Sequence, residues 1–309
     1  MALAVLGVGV LAISSSAVLV RLCEAPAMVI ACYRLGLSVL ILAPLYIWGC
    51  PETRQGSLRG TYGWVIISAL CLALHFLAWI EAVQRVPVAI AVTISSTHPI
   101  MVGLLCRLLW GEPFRGWRAL GALMAVLGTS AIGWDTVEGS ERGLWGYACA
   151  LGAAFFFSVY MILGQRLRAN TGLVRYVLPT YGIAALWLLL GVMWSGLPLT
   201  GYSNKTLFMF ALLALVPTAV GHSSLNWALG HVSATLVAVS ALGEPLGATV
   251  LAWAILGETV GPWKMFWGAL ILGGIYLTAK GETWGKQRDP ANSCGELGPE
   301  GSSTRQGRG

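Results

Sequence analysis

Residues 98–112 read HPIMVGLLCRLLWGE and residues 244–258 read EPLGATVLAWAILGE. In both, a titratable side chain (His98, Glu244) precedes a proline (Pro99, Pro245), and a Gly-Glu pair closes the run with Glu thirteen residues after the proline, since 112 minus 99 and 258 minus 245 are both 13. The register continues outward. Ala82 and Val86 lie 17 and 13 residues before Pro99, as Ala228 and Val232 lie 17 and 13 before Pro245, and Trp117-Arg118 and Trp263-Lys264 follow their glutamates at the same offsets. Agreement sustained over about 30 residues marks an internal duplication. It divides the chain into two halves, 1–134 and 143–280.

The halves are made of membrane-spanning helices. Hydrophobic residues are 57% of the 309 and charged residues 10%, against about 25% charged in soluble domains. Apolar runs fall at 2–20, 27–48, 62–81, 88–110, 116–134, 144–164, 173–194, 206–228, 234–256 and 263–279, which gives ten spans of bilayer length. Turn-formers and charges punctuate them at Pro51-Glu52-Thr53-Arg54, Glu138 to Arg142 and Gly201 to Lys205. The fold class is therefore an all-α polytopic membrane protein of ten transmembrane helices. The first span lacks the charged segment that precedes a signal peptide, so it is expected to be retained. From Gly281 the composition turns to Gly, Ser, Pro and balanced charge, which predicts a disordered cytoplasmic tail over 281–309.

The net charge of +6 has a topological explanation rather than a nucleic-acid one. One set of loops carries Arg54, Arg59, Arg107, Arg115, Arg118, Arg166, Arg168, Arg175, Lys280, Lys286 and Arg288; the other carries Arg21, Arg85, Arg142, Lys205 and Lys264. The positive-inside bias puts both termini in the cytoplasm, in a cell (inner) membrane. Many tryptophans, including Trp48, Trp64, Trp110, Trp117, Trp134, Trp145, Trp194 and Trp263, sit at span ends and read as headgroup anchors. The seven cysteines show no paired or metal-ligating spacing and read as reduced thiols; no metal or cofactor is expected.

Because five is odd, the second half enters the bilayer from the opposite side, and the halves form an inverted repeat. Secondary transporters use such repeats to alternate access to a central site. Through Ala31-Cys32-Tyr33-Arg34, Pro99 with Gly111-Glu112, Glu244-Pro245 and Gly257-Glu258, the sequence resembles the EamA-type branch of the drug/metabolite transporter superfamily. That resemblance implies a 5+5 carrier without ATP hydrolysis, with spans one to four and six to nine around a cavity and spans five and ten peripheral.

Glu244 lies near the middle of span nine, where an acidic residue costs about 2.5–3.5 kcal/mol. It must be protonated, paired or facing water, and it reads as a proton carrier, as a ligand for a substrate amine, or as one end of a fixed structural bond. Pro99 and Pro245 lack the N–H that the carbonyls of Ser95 and Ala241 would accept from, so both helices should kink. His98 precedes Pro99 as Glu244 precedes Pro245, which sets an imidazole from one half beside a carboxylate from the other as a proton-exchanging pair. Arg34 reads as a binder of substrate carboxylate, as a partner of Glu244, or as a structural group that snorkels outward.

His75 with Trp79, and His222 with Asn226 beside Trp227, share helix faces at i, i+4 spacing and are the remaining candidate cavity walls, although Trp79 also reads as an anchor. Gly121-x-x-x-Ala125 and Ala269-x-x-x-Gly273 give small-residue faces for bundle packing or for a homodimer. Glu112 and Glu258 read as caps of the helices that follow.

The function expected is secondary active export of small metabolites such as amino acids or related compounds, by alternating access, driven by proton exchange or by the substrate gradient. The small-molecule substrate and the lipid bilayer are the partners, and no nucleic acid is expected. The chain reads as no enzyme, since an intramembrane enzyme would need motifs such as H-E-x-x-H or G-x-S-x-G, which are absent. A scaffold would leave the central acid and histidines without purpose.

Overall fold

Serine pairs and prolines decide where the helices of this protein break. The computed structural model describes residues 1–48, 60–111, 114–134, 143–247 and 262–287. The first apolar run divides into α1 (Ala2–Ile13) and α2 (Ser16–Arg21). Between them Ser14 Oγ donates to Val10 O at 2.7 Å and Ser15 Oγ to Ala12 O at 2.8 Å, the local side-chain bonding by which serine competes with a helix. Next come α3 (Ala27–Ile47) and α4 (Tyr62–Arg85). The fourth run divides into α5 (Val88–Ser95) and α6 (His98–Trp110), with Pro99 in the first turn of α6, where a missing N–H costs little. Gly111 ends α6 at φ 69°, a left-handed cap that favours glycine.

The second half holds α8 (Leu144–Asn170), α9 (Leu173–Trp194) and α10 (Asn204–Leu213). A π-helical stretch, Ala214–His222, then leads into α11 (Ser223–Leu229). Pro217 lies inside that stretch and removes the α-helical donor of Leu213 O, to which Thr218 Oγ1 donates at 2.7 Å. After α12 (Ala234–Ala241) the backbone turns at 242–243 and resumes a helix over 244–247, so the break precedes Pro245. The halves' last helices are α7 (Trp117–Trp134) and α13 (Pro262–Gln287).

Seven stretches among the described residues are long and apolar enough to cross a bilayer: Ala2–Arg21, Ala27–Ile47, Tyr62–Arg85, Ile90–Trp110, Leu144–Asn170, Leu173–Trp194 and Asn204–Leu229. The chain is thus an all-helical, polytopic membrane protein. Two boundaries differ from the sequence reading. Span three continues past residue 81 to Arg85, because Arg85 and Glu81 pair within the helix at 2.5 Å and Gln84 Nε2 donates to Ala25 O at 3.0 Å. The expected tail also begins too early, since α13 carries the helix through residues 281–287. Residues 288–309, Glu112, Glu258, Gly257, the second half of span nine and the 51–54 and 138–142 punctuation lie outside the described residues.

Helix α4 packs against α8 and α9, α3 against α9, and α1 against the π-helical stretch. They share one core that includes Leu35, Leu72, Phe76, Tyr176, Phe210 and Val237. Helices α7 and α13 pack chiefly on one another, with a small separate core of Ala122, Ala125, Ile271 and neighbours. The seam depends on glycine. A side chain at Gly121 would meet Gly274 O and Thr278, and one at Gly274 would meet Gly121 O and Ala125. The α13 residue in the contact is Gly274, one place beyond the Gly273 of the sequence pattern, and this small-residue face is filled within one chain.

Trp48, Trp64, Trp145, Trp194 and Trp263 are exposed at helix ends, as anchors are. Trp110 is instead covered by the Arg166 guanidinium, 4.0 Å from its ring centre. Arg168, counted above as a loop charge, is 3% exposed; its Nε donates to Asn226 O at 3.0 Å and it also bonds Thr171 O. Cys23, Cys32, Cys71, Cys106 and Cys149 are free thiols.

Candidate functional site

The helix breaks surround a small polar cavity. Ser16 at the start of α2, Ser95 and Ser96 at the end of α5, His98, and Glu244 and Pro245 just after the turn that follows α12 line it, together with Arg34, His75 and Trp79 from α3 and α4, Phe157 from α8 and His222 from the π-helical stretch. Its volume is about 60 Å³, room for a few water molecules. Six candidates from the sequence, Arg34, His75, Trp79, His98, His222 and Glu244, line this one cavity with Pro245.

Arg34 is 1% exposed. Its guanidinium points inward, not toward the membrane surface. Nε donates to Thr218 Oγ1 at 2.6 Å, Nη1 donates to Ser16 Oγ at 3.0 Å, and the cation lies 4.1 Å from the centre of the Phe76 ring. One side chain therefore joins α3, the α1–α2 break, α4 and the π-helical stretch. Glu244 lines the same space, yet neither an ion pair within 4.0 Å nor a hydrogen bond engages its carboxylate among the described residues. Arg34 and Glu244 thus share a cavity without touching one another.

Three histidines surround Phe157. His75 stacks on it at 4.6 Å, His98 meets its edge at 5.1 Å and His222 at 5.9 Å. His75 Nδ1 is 2.9 Å from Ala153 O, whereas His222 Nδ1 is buried with no partner. His98 Nδ1 is 2.8 Å from Ser95 O, the carbonyl that Pro99 leaves open, and Nε2 is 3.1 Å from Ala238 O in α12. No hydrogen bond joins His98 to Glu244; the pair share the cavity, while both ring nitrogens face backbone oxygens. Among the described residues no group of three or more His, Cys, Asp or Glu stands at metal-binding geometry.

Trp79 is 7% exposed and belongs to the wall, since α4 runs on to Arg85. Asn226 and Trp227 do not line the cavity. Asn226, 1% exposed, lies one turn beyond His222 and is consumed by structure: Nδ2 contacts Tyr160 Oη at 2.6 Å, His222 O at 2.8 Å and Tyr181 Oη at 3.2 Å. Trp227 stacks on His231 at 4.0 Å and borders a separate apolar groove of about 300 Å³, lined also by Val5, Leu42, Leu45, Val177 and Ala219.

Sequence reasoning missed Phe76, Phe157 and Ser16. Phe76 adjoins His75 and Phe157 ends the run Phe155-Phe156-Phe157, but neither spacing distinguishes a cavity ring from a core ring.

The sequence pattern of the EamA-like transporter family matches this chain twice, over residues 1–134 and 144–280. Among curated proteins, the probable 4-amino-4-deoxy-L-arabinose-phosphoundecaprenol flippase subunit ArnE of Sodalis glossinidius (strain morsitans) is 38% identical over 82 residues, 26% of this chain and 74% of its own. The protein of that name from Enterobacter sp. (strain 638) is 31% identical over 72 residues, 23% of this chain and 67% of its own. One solved crystal structure of a protein is similar over 91% of this chain and 98% of its own, with a TM-score of 0.73 and 18% identity. That last likeness speaks to the fold alone.

Proposed function

The chain belongs to the EamA-like transporter family, and from that premise we propose that it is a secondary active exporter of small metabolites such as amino acids or related compounds. In this reading ten spans form two inverted five-helix repeats, 1–134 and 143–280, both termini are cytoplasmic, and protons are the coupling ion. A homodimer would have to use a surface other than the filled seam between α7 and α13.

One observation carries the reading: Arg34 and Glu244 face the same cavity with opposite charges and no mutual contact. A solute bearing both an anionic group and an amine completes both. The Arg34 fork suits a carboxylate, and the Glu244 carboxylate suits an ammonium. Burial makes each contact worth more than it is in water, and it equally penalises a solute that lacks one of the two groups.

A second reading has one observation in its favour. The apolar groove beside Trp227 suits the chain of a lipid-linked solute, which is the kind of substrate named for the flippase subunits. Counterflow in liposomes separates the two. Purified protein is reconstituted, vesicles are preloaded with unlabelled amino acids and related amines, and entry of the labelled solute is followed. Protein-dependent entry supports the carrier of free solutes. Silence across that panel, together with protein-dependent flipping of an amino-sugar phosphate on a polyprenyl chain, overturns it in favour of the lipid-linked substrate.

A further inference from the structure

Two carbonyls left open by two different helix breaks meet on one imidazole. Ser95 O lacks its helical donor because residue 99 is proline. Ala238 O would accept from Leu242 N in a continued α-helix, but Leu242 N bonds Val239 O at 3.1 Å and Gly243 N bonds Ser240 O at 2.9 Å. The last turn of α12 has tightened, which releases Ala238 O. His98 answers both, with Nδ1 at 2.8 Å from Ser95 O and Nε2 at 3.1 Å from Ala238 O.

Both partners are acceptors. A neutral imidazole carries one N–H and a protonated one carries two. We propose that His98 is a proton-operated clasp between the two halves of the protein: with both ring nitrogens protonated it ties the α5–α6 break to the end of α12, and with one proton gone it releases one of them. The proposal deepens the carrier reading and rests on it, because the two tied segments are walls of the substrate cavity and the proton becomes the ion that moves them.

The ring is held where this choice matters. It is 7% exposed, the edge of Phe157 abuts it at 5.1 Å, and Ser158 Oγ donates to His98 O at 3.1 Å. A buried carbonyl without a donor is costly, so the chain cannot lose the second N–H without α12 or the α5–α6 turn finding another arrangement. Titratable or charged groups line the cavity beside the ring: Arg34 on α3, His75 on α4, His222 and Glu244; Tyr160 on α8 stacks on the Phe157 ring that abuts His98. Helix α7, which also packs on α6, has its charged residue, Arg118, in its first turn, beside the opposite end of α6. The proton exchanges with water in the cavity that His98, Ser95 and Ser96 line.

The test uses the full chain in liposomes with nitrogen-labelled histidine and no substrate, so its outcome is independent of whether any solute in the counterflow panel is carried. Ring nitrogens are followed by solid-state NMR from about pH 5 to about pH 8. The signal of His98 is assigned by its loss in His98→Gln or, should that variant not fold, by elimination using His75→Gln, His222→Gln and His231→Gln. Two N–H signals at the acid end and one at the alkaline end are expected. Over the same steps, amide exchange in Ala234–Ala241, corrected for intrinsic pH dependence, should rise in the wild type and stay flat in His98→Gln. A His98 ring that keeps one N–H throughout, or both throughout, overturns the proposal. So does an α12 exchange profile that responds to pH equally without the imidazole.

Discussion

Replacing Gly121 by alanine tests whether the α7–α13 pair is scaffolding outside the transport cycle. A methyl at Gly121 would meet Gly274 O and the Thr278 hydroxyl, and would sit 2.7 Å from Thr278 N. Two of these three atoms are backbone, so no rotamer change relieves the contact. Bringing the methyl out to an ordinary separation requires α13 to retreat by somewhat under about 1 Å, and gaps of that size forfeit a quarter to a half of the dispersion along a seam. Overpacking of this kind costs about 1–3 kcal/mol, and at roughly 2–4 °C per kcal/mol the thermal midpoint falls by about 2–12 °C. Gly7 is the control. It is helical and exposed, with nothing within 4 Å of an added Cβ, so Gly7→Ala gains up to about 0.5–1 kcal/mol from reduced backbone entropy. Both variants are reconstituted, their midpoints measured, and counterflow compared per folded molecule. The expected result is a lowered midpoint for Gly121→Ala with unchanged counterflow, and a level or raised midpoint for Gly7→Ala. An unchanged midpoint for Gly121→Ala refutes the packing argument, and a matching loss of counterflow refutes the peripheral role.

Glu244→Gln keeps the shape of a side chain that has no hydrogen bond among the described residues and removes the charge proposed to meet the substrate amine, so counterflow of amine-bearing solutes should weaken more than that of solutes without an amine, measured in the same vesicles. Asn226→Leu takes one partner from each of the Tyr160 and Tyr181 hydroxyls, of which Tyr181 keeps Ser223 Oγ at 3.4 Å; at about 1–3 kcal/mol for a buried polar group left short of a partner, stability falls by about that much, read as a thermal midpoint below that of Glu244→Gln. Arg34→Lys keeps the charge, but a single ammonium cannot serve Thr218 and Ser16 as the fork does, which costs about 1.5–3 kcal/mol of stability and weakens counterflow of carboxylate solutes more than of neutral ones. Glu81→Ala breaks only the exposed pair with Arg85, and its midpoint should move by no more than the equivalent of about 0.5 kcal/mol.

What the sequence makes legible here is set by how local the cause is. Pro99 announces an open carbonyl at Ser95 from spacing alone, and the structure has that open carbonyl. The donor that answers it is legible only in part. His98 is adjacent, but its second contact, Ala238 O, comes from a residue 140 positions away. The orientation of Arg34 was hidden for the same reason, since Thr218 is 184 positions distant and depends on a π-helical stretch that apolar periodicity does not reveal. Of the two sequence readings of Trp79, the anchor reading arises because Glu81, Gln84 and Arg85 look like the start of a loop. They remain helical because two of them pair with each other and the third bonds the neighbouring turn at Ala25.

The distribution of satisfied and unsatisfied polar groups locates the chemistry better than the count of polar residues does. Within a bilayer no solvent rescues a buried donor or acceptor; besides His222 Nδ1, the hydroxyls of Thr93, Thr129 and Ser240 and Trp267 Nε1 are buried without a partner among the described residues, and of these five only His222 borders the cavity. Most polar groups buried deep in this bundle are consumed by structure: Arg168 by Asn226 O and Thr171 O, Tyr176 by Ser68, Thr180 by Tyr176 O. Asn226 looked as functional as His222 in sequence, yet its amide is fully engaged. Among the described residues, neither the Glu244 carboxylate nor His222 Nδ1 has a hydrogen-bond partner, and both border the cavity that Arg34 also lines. A protein selected only for rigidity would pair Arg34 with Glu244 and erase the cavity. Keeping the two side chains apart costs stability, which is what the proposed binding of a solute between them would offset.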